Sequence, residues 1–240
     1  MAQPAGWMAD TFQVVAVLTG PVVLRRDLRP GQAVASGVEK RPRRGRVPLG
    51  PVGLDGDAQA DTRHHGGPAK AVLMMAEATR RAWPALLPGF APEPGAFGEN
   101  LLAAGVDEDA VCLGDRWTGP DAVLTVTQPR RPCWKPGARA GQPGLAPLMA
   151  RHGATGWYLA VERSGSIAAG DAFRLDHRPH PGWSIRAANR VLHGDDPALV
   201  AAWLAAPPAG LDRWIPALAQ RADRLRRGEA PPPDPAWSPS

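Results

Sequence analysis

Cys133 is one of only two cysteines in the chain and sits in the stretch TQPRRPCWKP, residues 127–136. Arg130, Arg131 and Lys135 lie within three residues of it, and Pro129 and Pro132 stiffen the approach. The thiolate is the form that attacks electrophiles and binds soft metals, and neighbouring cations favour it. Most free cysteines are small buried fillers, and Cys112, between apolar residues in AVCLGD, reads that way. The surroundings of Cys133 argue for chemistry instead. A second informative stretch is GLDGDAQADTRHHGGPAKAVLMM, residues 53–75. Glycine takes positive φ and lets backbone approach a ligand closely, and successive exposed N–H groups form anion-binding nests. Adjacent His64 and His65 lack the HxxxH or HxH spacing of a metal pair, so HHGG reads as an anion or ligand turn, or as an ordinary one.

The elements that must hold these loops are short. FQVVAVL (12–18), KAVLMM (70–75), AVLTVT (122–127) and WYLAVE (157–162) are apolar runs of strand length. Turn-rich segments such as LGPVGLDGD and GFAPEPGAFGEN separate them. A helix is expected over 77–87, kinked or divided by Pro84, and another near 142–151. Short strands with irregular connections fit a mainly β fold with some α, a partly closed mixed β-barrel, better than alternating βαβ units. The texture changes after about residue 180. SIRAANRVLHG (184–194) opens on an N-cap serine and stops at glycine, DDPALVAAWLAA (195–206) starts on Asp-Pro, and LDRWIPALAQRADRLRRG (211–228) carries a helical apolar stripe. These read as a three-helix bundle over 182–228 following a barrel domain over 12–178, with residues 229–240 expected as a disordered tail.

Size and composition set the limits. The chain has 240 residues, 44% of them hydrophobic, which supports a sizeable core. Its 28 Lys and Arg against 23 Asp and Glu leave a formal charge of +5, which favours anionic partners in general. The run EKRPRRGR (39–46) is expected as a solvated loop or as part of a cationic rim around an anionic ligand. Two cysteines without CxxC spacing make neither a disulfide framework nor structural zinc, and point to a reducing setting. No signal-peptide pattern is visible, and VVAVL (14–18) is far short of the roughly 20 residues that span a bilayer. A cytoplasmic location away from membranes is expected. Basic residues are scattered and no nucleic-acid fold signature appears, so a nucleic-acid partner is disfavoured.

Taken together, DGDAQAD…HHGGPAKAV, FGENL (97–101) and QPRRPCWK (128–135) resemble the MOSC family, named for the C-terminal domain of molybdenum-cofactor sulfurases. The likeness is to its small stand-alone bacterial members of the YiiM type, and runs from about residue 12 to 228. GSIAAGDAFRL (165–175) is similar to the family's final core hairpin, and the three-helix ending to the helical domain those members append. The resemblance implies a molybdenum cofactor, a molybdopterin whose dithiolene holds the metal, with Cys133 supplying a protein thiolate to molybdenum. His65, Gly66, Gly67, Lys70, Asn100, Arg130, Arg131 and Lys135 are implied as cofactor-binding. His65, Gly66 and Gly67 match the family's HGG, and Asn100 its GEN. His64 lies outside the strict motif. Arg131 stands where relatives often carry a small polar residue, Ala69 where they commonly have aspartate, and methionines where a tyrosine often follows AVL.

The resemblance further implies an oxidoreductase that reduces N-hydroxylated small molecules such as hydroxylaminopurines to amines, a detoxification. No flavin, haem or iron–sulfur motif is visible, so electrons are expected from a separate reductase. A homodimer stays open. The rivals are a sulfur carrier holding a persulfide on Cys133, a protein that binds or delivers the cofactor without turnover and, last, a nucleic-acid module.

Overall fold

The apolar runs form strands because their β-branched and bulky side chains pack on both faces of a curved sheet. In the computed structural model, residues 10–62, 64–229, 232 and 234–237 are described. The first part of the chain supplies β1 (Thr11–Thr19), β2 (Val23–Arg25), β3 (Val34–Ser36), β4 (Arg41–Pro42), β5 (Val47–Gly50) and β6 (Gly53–Leu54). Then come β7 (Val72–Ala76), α1 (Glu77–Leu86), β8 (Leu101–Ala104), β9 (Arg116–Thr118) and β10 (Val123–Pro129). After these follow α2 (Trp134–Arg139), α3 (Leu145–His152), β11 (Trp157–Arg163), β12 (Gly165–Ile167) and β13 (Ala172–His177). The chain continues through α4 (Ile185–His193), α5 (Pro197–Ala205) and α6 (Ile215–Arg226).

Seven strands close into a barrel in the order β13-β9-β10-β11-β7-β8-β1, with β1 returning to β13. The expected partial closure is thus complete. Thr11, Phe12 and Gln13 pair with Arg174, Phe173 and Ala172, and the Phe12 and Phe173 rings stack across that seam at 5.0 Å. Neighbouring strands are antiparallel except β7 and β8. That parallel pair requires a crossover, which α1 provides. Helix α1 ends at Leu86, shortly after Pro84, so the missing N–H falls in the final turn and the helix is not divided.

Two cores share the strands between them. Val14, Val72, Met74, Leu101, Trp117, Leu124 and Trp157 fill the barrel interior. Leu18, Met75 and Leu102 face outward and pack under Trp83, Phe97, Leu145 and Met149. Both sets use alternate residues of a strand, as the two-residue period demands. In β1 the alternation shifts at a register irregularity between Val14 and Ala16, which puts Val17 back inside and Leu18 outside.

The C-terminal helices begin where their caps dictate. Ser184 Oγ accepts from the Ala187 N–H, and Asp196 accepts from the Ala198 and Leu199 N–H groups. Their buried residues, among them Ile185, Val191, Trp203 and Leu218, join the interior cluster of the barrel.

Two expectations meet a different arrangement. The segment 165–175 is not a hairpin: β12 pairs with β5, while β13 pairs with β9 and β1. Arg46 secures that departure by donating to Ser166 and Asp171 from the β5 side. Part of the stretch expected as a disordered tail packs onto the protein. Asp234 accepts from Arg131 Nε at 2.7 Å, and the Trp237 ring lies 5.9 Å from that of His193. Residues 230, 231, 233 and 238–240 lie outside the described residues. Among the described residues, no helix is long and apolar enough to cross a membrane.

Candidate functional site

A cleft with about 590 Å³ of empty space lies on the outer face of the barrel, over β7 and β11. Leu73 and Tyr158 are register partners on those two strands and both line it. Trp157 and Met74, the alternate residues, point into the barrel. Its walls come from the loop after β3, the 58–66 segment, the turn before β8 and the loop from Arg130 to Lys135. His65, Gly66, Lys70, Asn100, Arg130, Cys133 and Lys135, all implied from sequence as site residues, therefore meet in one place.

Strand β10 ends at Pro129, after which the chain turns through Arg130, Arg131 and Pro132 to Cys133, the N-cap of α2. Cys133 is a half-buried free thiol on the cleft wall, whereas Cys112 is buried, its thiol pushed up to about 11 by desolvation. Arg130 is 3% exposed. Its backbone N–H donates to Gly156 O at 3.0 Å, and Glu108 holds the Gly156 N–H at 3.1 Å. This chain of bonds fixes where the Arg130 side chain starts. The guanidinium Nε and Nη1 are buried without a hydrogen-bond partner among the described residues. Buried charged donors are normally satisfied, so these two nitrogens in a cleft wall suit an acceptor held there.

The HHGG turn does two things. Gly66 and Gly67 have φ of 88° and 83°, the left-handed region that glycine enters without strain. A Cβ on Gly66 would sit 2.8 Å from Gln59 Oε1, while one on Gly67 would meet nothing within 4 Å. The turn carries His65 into the cleft, where Nδ1 lies 3.3 Å from the Tyr158 hydroxyl. Burial, followed by the Arg130 charge, lowers His65 to about 4, so the imidazole is neutral at pH 7. Burial raises Tyr158 to about 12, so its hydroxyl keeps its proton. Lys70 lies on the same turn, with Nζ donating to His64 O at 2.5 Å and 5.8 Å from the Tyr158 ring centroid. Burial lowers its ammonium below the usual range.

Three of the implied site residues sit differently. Arg131 is absent from the cleft lining and pairs with Asp234, because consecutive side chains along an extended loop point to opposite sides. Gly67 lines a neighbouring groove and not this one. Asn100 lines the cleft, but its amide is engaged: Oδ1 accepts from the Leu73 N–H at 3.1 Å and Nδ2 donates to Leu18 O at 3.3 Å. It clamps β7 to β1 and shapes the wall. Glu99 beside it accepts from the Gly95 and Phe97 N–H groups, and its burial raises its carboxyl. The GEN stretch thus builds the turn more than it offers free polar atoms.

Other lining residues were not legible in sequence. Tyr158, the only tyrosine in the chain, was read within a core strand, and its lone occurrence was the available signal. Lys40 and Gln59 line the cleft, and the buried Lys40 ammonium pairs with the buried Asp57 carboxylate, which also accepts from Gln59 at 3.0 Å. In the EKRPRRGR run residues 41–46 are exposed, as expected of a solvated loop, but most of its charges are engaged. Lys40 faces inward, Arg41 pairs with Glu39, Arg43 donates to Thr19 and Arg46 pairs with Asp121 and Asp171.

A MOSC domain is matched over residues 61–174, which contain the HHGG turn, the GEN turn and the Cys133 loop. The chain is 34% identical over 218 residues to YflK of Bacillus subtilis, covering 90% of this chain and 97% of that protein. It belongs to the MOSC family. It is also 34% identical over 175 residues to a protein named reductase from Gibberella moniliformis, of which it spans only 30%. The crystal structure of YiiM from Geobacillus stearothermophilus superposes with a TM-score of 0.68 at 26% identity, over 88% of this chain and 99% of that one. The MOSC domain is the type associated with the molybdenum cofactor, and the cleft is the face of this MOSC barrel on which its motif residues gather.

The residues present suit such a group. Cys133 offers a soft donor. Among the described residues no three His, Cys, Asp or Glu side chains gather to hold a metal ion. A metal at Cys133 would therefore take its other ligands from a non-protein group, as a dithiolene provides. Arg130, Lys70 and Lys135 would meet the anionic parts of the pterin, with guanidinium suited to bidentate contact with phosphate or oxo groups.

Proposed function

We propose that this MOSC protein holds a molybdenum cofactor in the cleft, with the Cys133 sulfur as protein ligand, and reduces N-hydroxylated compounds to amines. The observation that carries the reading is Arg130: a buried guanidinium with two nitrogens, Nε and Nη1, unpartnered among the described residues, lining the same cleft as a free cysteine. The reductase name of one relative supports an oxidoreductase class. The cofactor supplies the redox chemistry when bound. The chain's own residues bind and orient: Arg130 and Lys135 counter negative charge, Leu73 and Phe97 exclude water, and Gly66 lets the backbone come close. Electrons come from a separate reductase.

The test is metal analysis of wild type and Cys133→Ser, both purified from a molybdenum-replete host, beside turnover of hydroxylaminopurine with an artificial reductant. The expected result is near-stoichiometric molybdenum in wild type, its loss in the variant, and turnover only by the former. A metal-free wild type carrying cyanide-labile sulfur on Cys133 would identify a persulfide carrier. Full loading without turnover would identify a delivery protein.

A further inference from the structure

We propose that His65 and Tyr158 form a proton relay that protonates the oxygen leaving an N-hydroxylated substrate; this rests on the reductase reading above. The two residues line the cleft together with Cys133, and their polar atoms lie 3.3 Å apart. They come from elements far apart in the chain, the turn after Asp61 and strand β11, and meet across the cleft floor.

Reduction of R–NH–OH to R–NH2 and water breaks the N–O bond and consumes two electrons and two protons. One proton ends on nitrogen and the other on the departing oxygen. The electrons come from a separate flavin- or iron–sulfur-bearing reductase. The oxygen's proton needs a donor in the cleft, and most candidates are committed elsewhere. Lys40 is paired with Asp57, while Lys70 and Lys135 each give one N–H to a backbone carbonyl and would hold their remaining charge against the anionic cofactor. A guanidinium such as Arg130 does not give up a proton. Asp61 accepts from His64.

The phenolic O–H and the imidazole remain, already in contact. Tyr158 O–H passes its proton to the leaving oxygen, His65 Nδ1–H reprotonates the tyrosine oxygen, and Nε2 takes up a proton from solvent; before the next turnover the ring releases the Nε2 proton to solvent and regains one at Nδ1, which restores the starting tautomer. Because the hops are linked, no phenolate persists in a site where burial disfavours it. The neutral imidazole that this sequence requires is what desolvation and the facing charges of Arg130, Lys70 and Lys135 maintain, against the opposing pull of Asp61.

The relay fixes the hydrogen-bond direction, and that can be read without cofactor or substrate. In metal-free protein labelled with 15N-histidine, NMR is expected to show His65 as the Nδ1–H tautomer. An Nε2–H tautomer, with Nδ1 accepting from the tyrosine, directs the phenol proton away from substrate and overturns the relay. In loaded protein, Tyr158→Phe is expected to keep its molybdenum and its KM while kcat falls by about 100-fold, the usual scale for a lost proton donor. A His65→Gln variant, which retains a donor but cannot shuttle, is expected to slow turnover similarly. A wild type that turns over beside an equally active Tyr158→Phe overturns the relay alone. A wild type without molybdenum or turnover overturns the reductase reading and the relay with it.

Discussion

Replacing Arg130 by methionine is expected to stabilise the metal-free protein and to weaken its response to polyanions, which Lys70 and Lys135 in the same cleft still meet. Arg130 is 3% exposed, and its Nε and Nη1 have no partner among the described residues. A buried donor left unmade costs about 1–3 kcal/mol. Methionine follows the straight stem of arginine and adapts to irregular space. The backbone bond from Arg130 to Gly156 O is untouched by the change. The gain is therefore about 1–3 kcal/mol, and at 2–4 °C per kcal/mol for a chain of this size Tm rises by roughly 2–12 °C. Ligand response moves the other way. An anion at a hundredfold excess over its Kd stabilises the native state by about 2.7 kcal/mol, so pyrophosphate is expected to raise the wild-type Tm by roughly 5–11 °C. The assay is calorimetric unfolding of both metal-free proteins, with and without pyrophosphate, ionic strength matched with chloride. A methionine variant that melts below wild type would show the guanidinium already satisfied in the empty cleft, and the argument that it awaits an anion would fail.

Other perturbations separate site from scaffold. Cys133→Ser is expected to leave stability within about 0.5 kcal/mol, because the thiol is half-buried and in no disulfide among the described residues, while abolishing molybdenum loading; urea unfolding and metal analysis read the two effects. Gly66→Ala and Gly67→Ala are each expected to destabilise the protein in the same urea assay, by about 1–3 kcal/mol, because both positions have positive φ that alanine enters only with strain. Arg131→Gln is expected to release the Asp234 segment to added protease without changing molybdenum content, since Arg131 lies outside the cleft. Stability is expected to fall with pH below 6.5. His65 and His193 are each lowered from 6.5 to about 4, chiefly by burial. Between those values the unfolded chain binds more protons, so the contribution is full above 6.5 and lost as pH falls through 4. Urea midpoints at pH 7 and 4.5 measure it, and His193→Gln is expected to flatten the slope.

Strand runs and helix caps were readable because they rest on local physics. Apolar alternation marks β1, β7, β10 and β11, and Ser184 and Asp196 start their helices with side-chain oxygens that reach only the next turn. Barrel closure was readable only in part, since it depends on Phe12 meeting Phe173 from the opposite end of the barrel sequence. The pairing of β12 with β5 was hidden for the same reason. Within the site, motif order led to Cys133, His65 and Arg130, but motif membership did not separate a free donor from a spent one. Asn100 and Glu99 share the GEN stretch with cleft residues, yet their polar atoms are engaged by backbone.

By itself the sequence determined that a thiol would sit on a stiff cationic loop after a strand, and that a glycine turn bearing histidine would precede another. Both follow from neighbours a few residues apart, through proline geometry and the glycine backbone. Only the tertiary structure decided which cation faces the cleft. Arg130 turns in, its Nε and Nη1 without an acceptor among the described residues, while Arg131 turns out to Asp234, more than a hundred residues along the chain. It also decided that the single tyrosine would meet His65. Side-chain direction and desolvation are set by strand register and by partners remote in sequence.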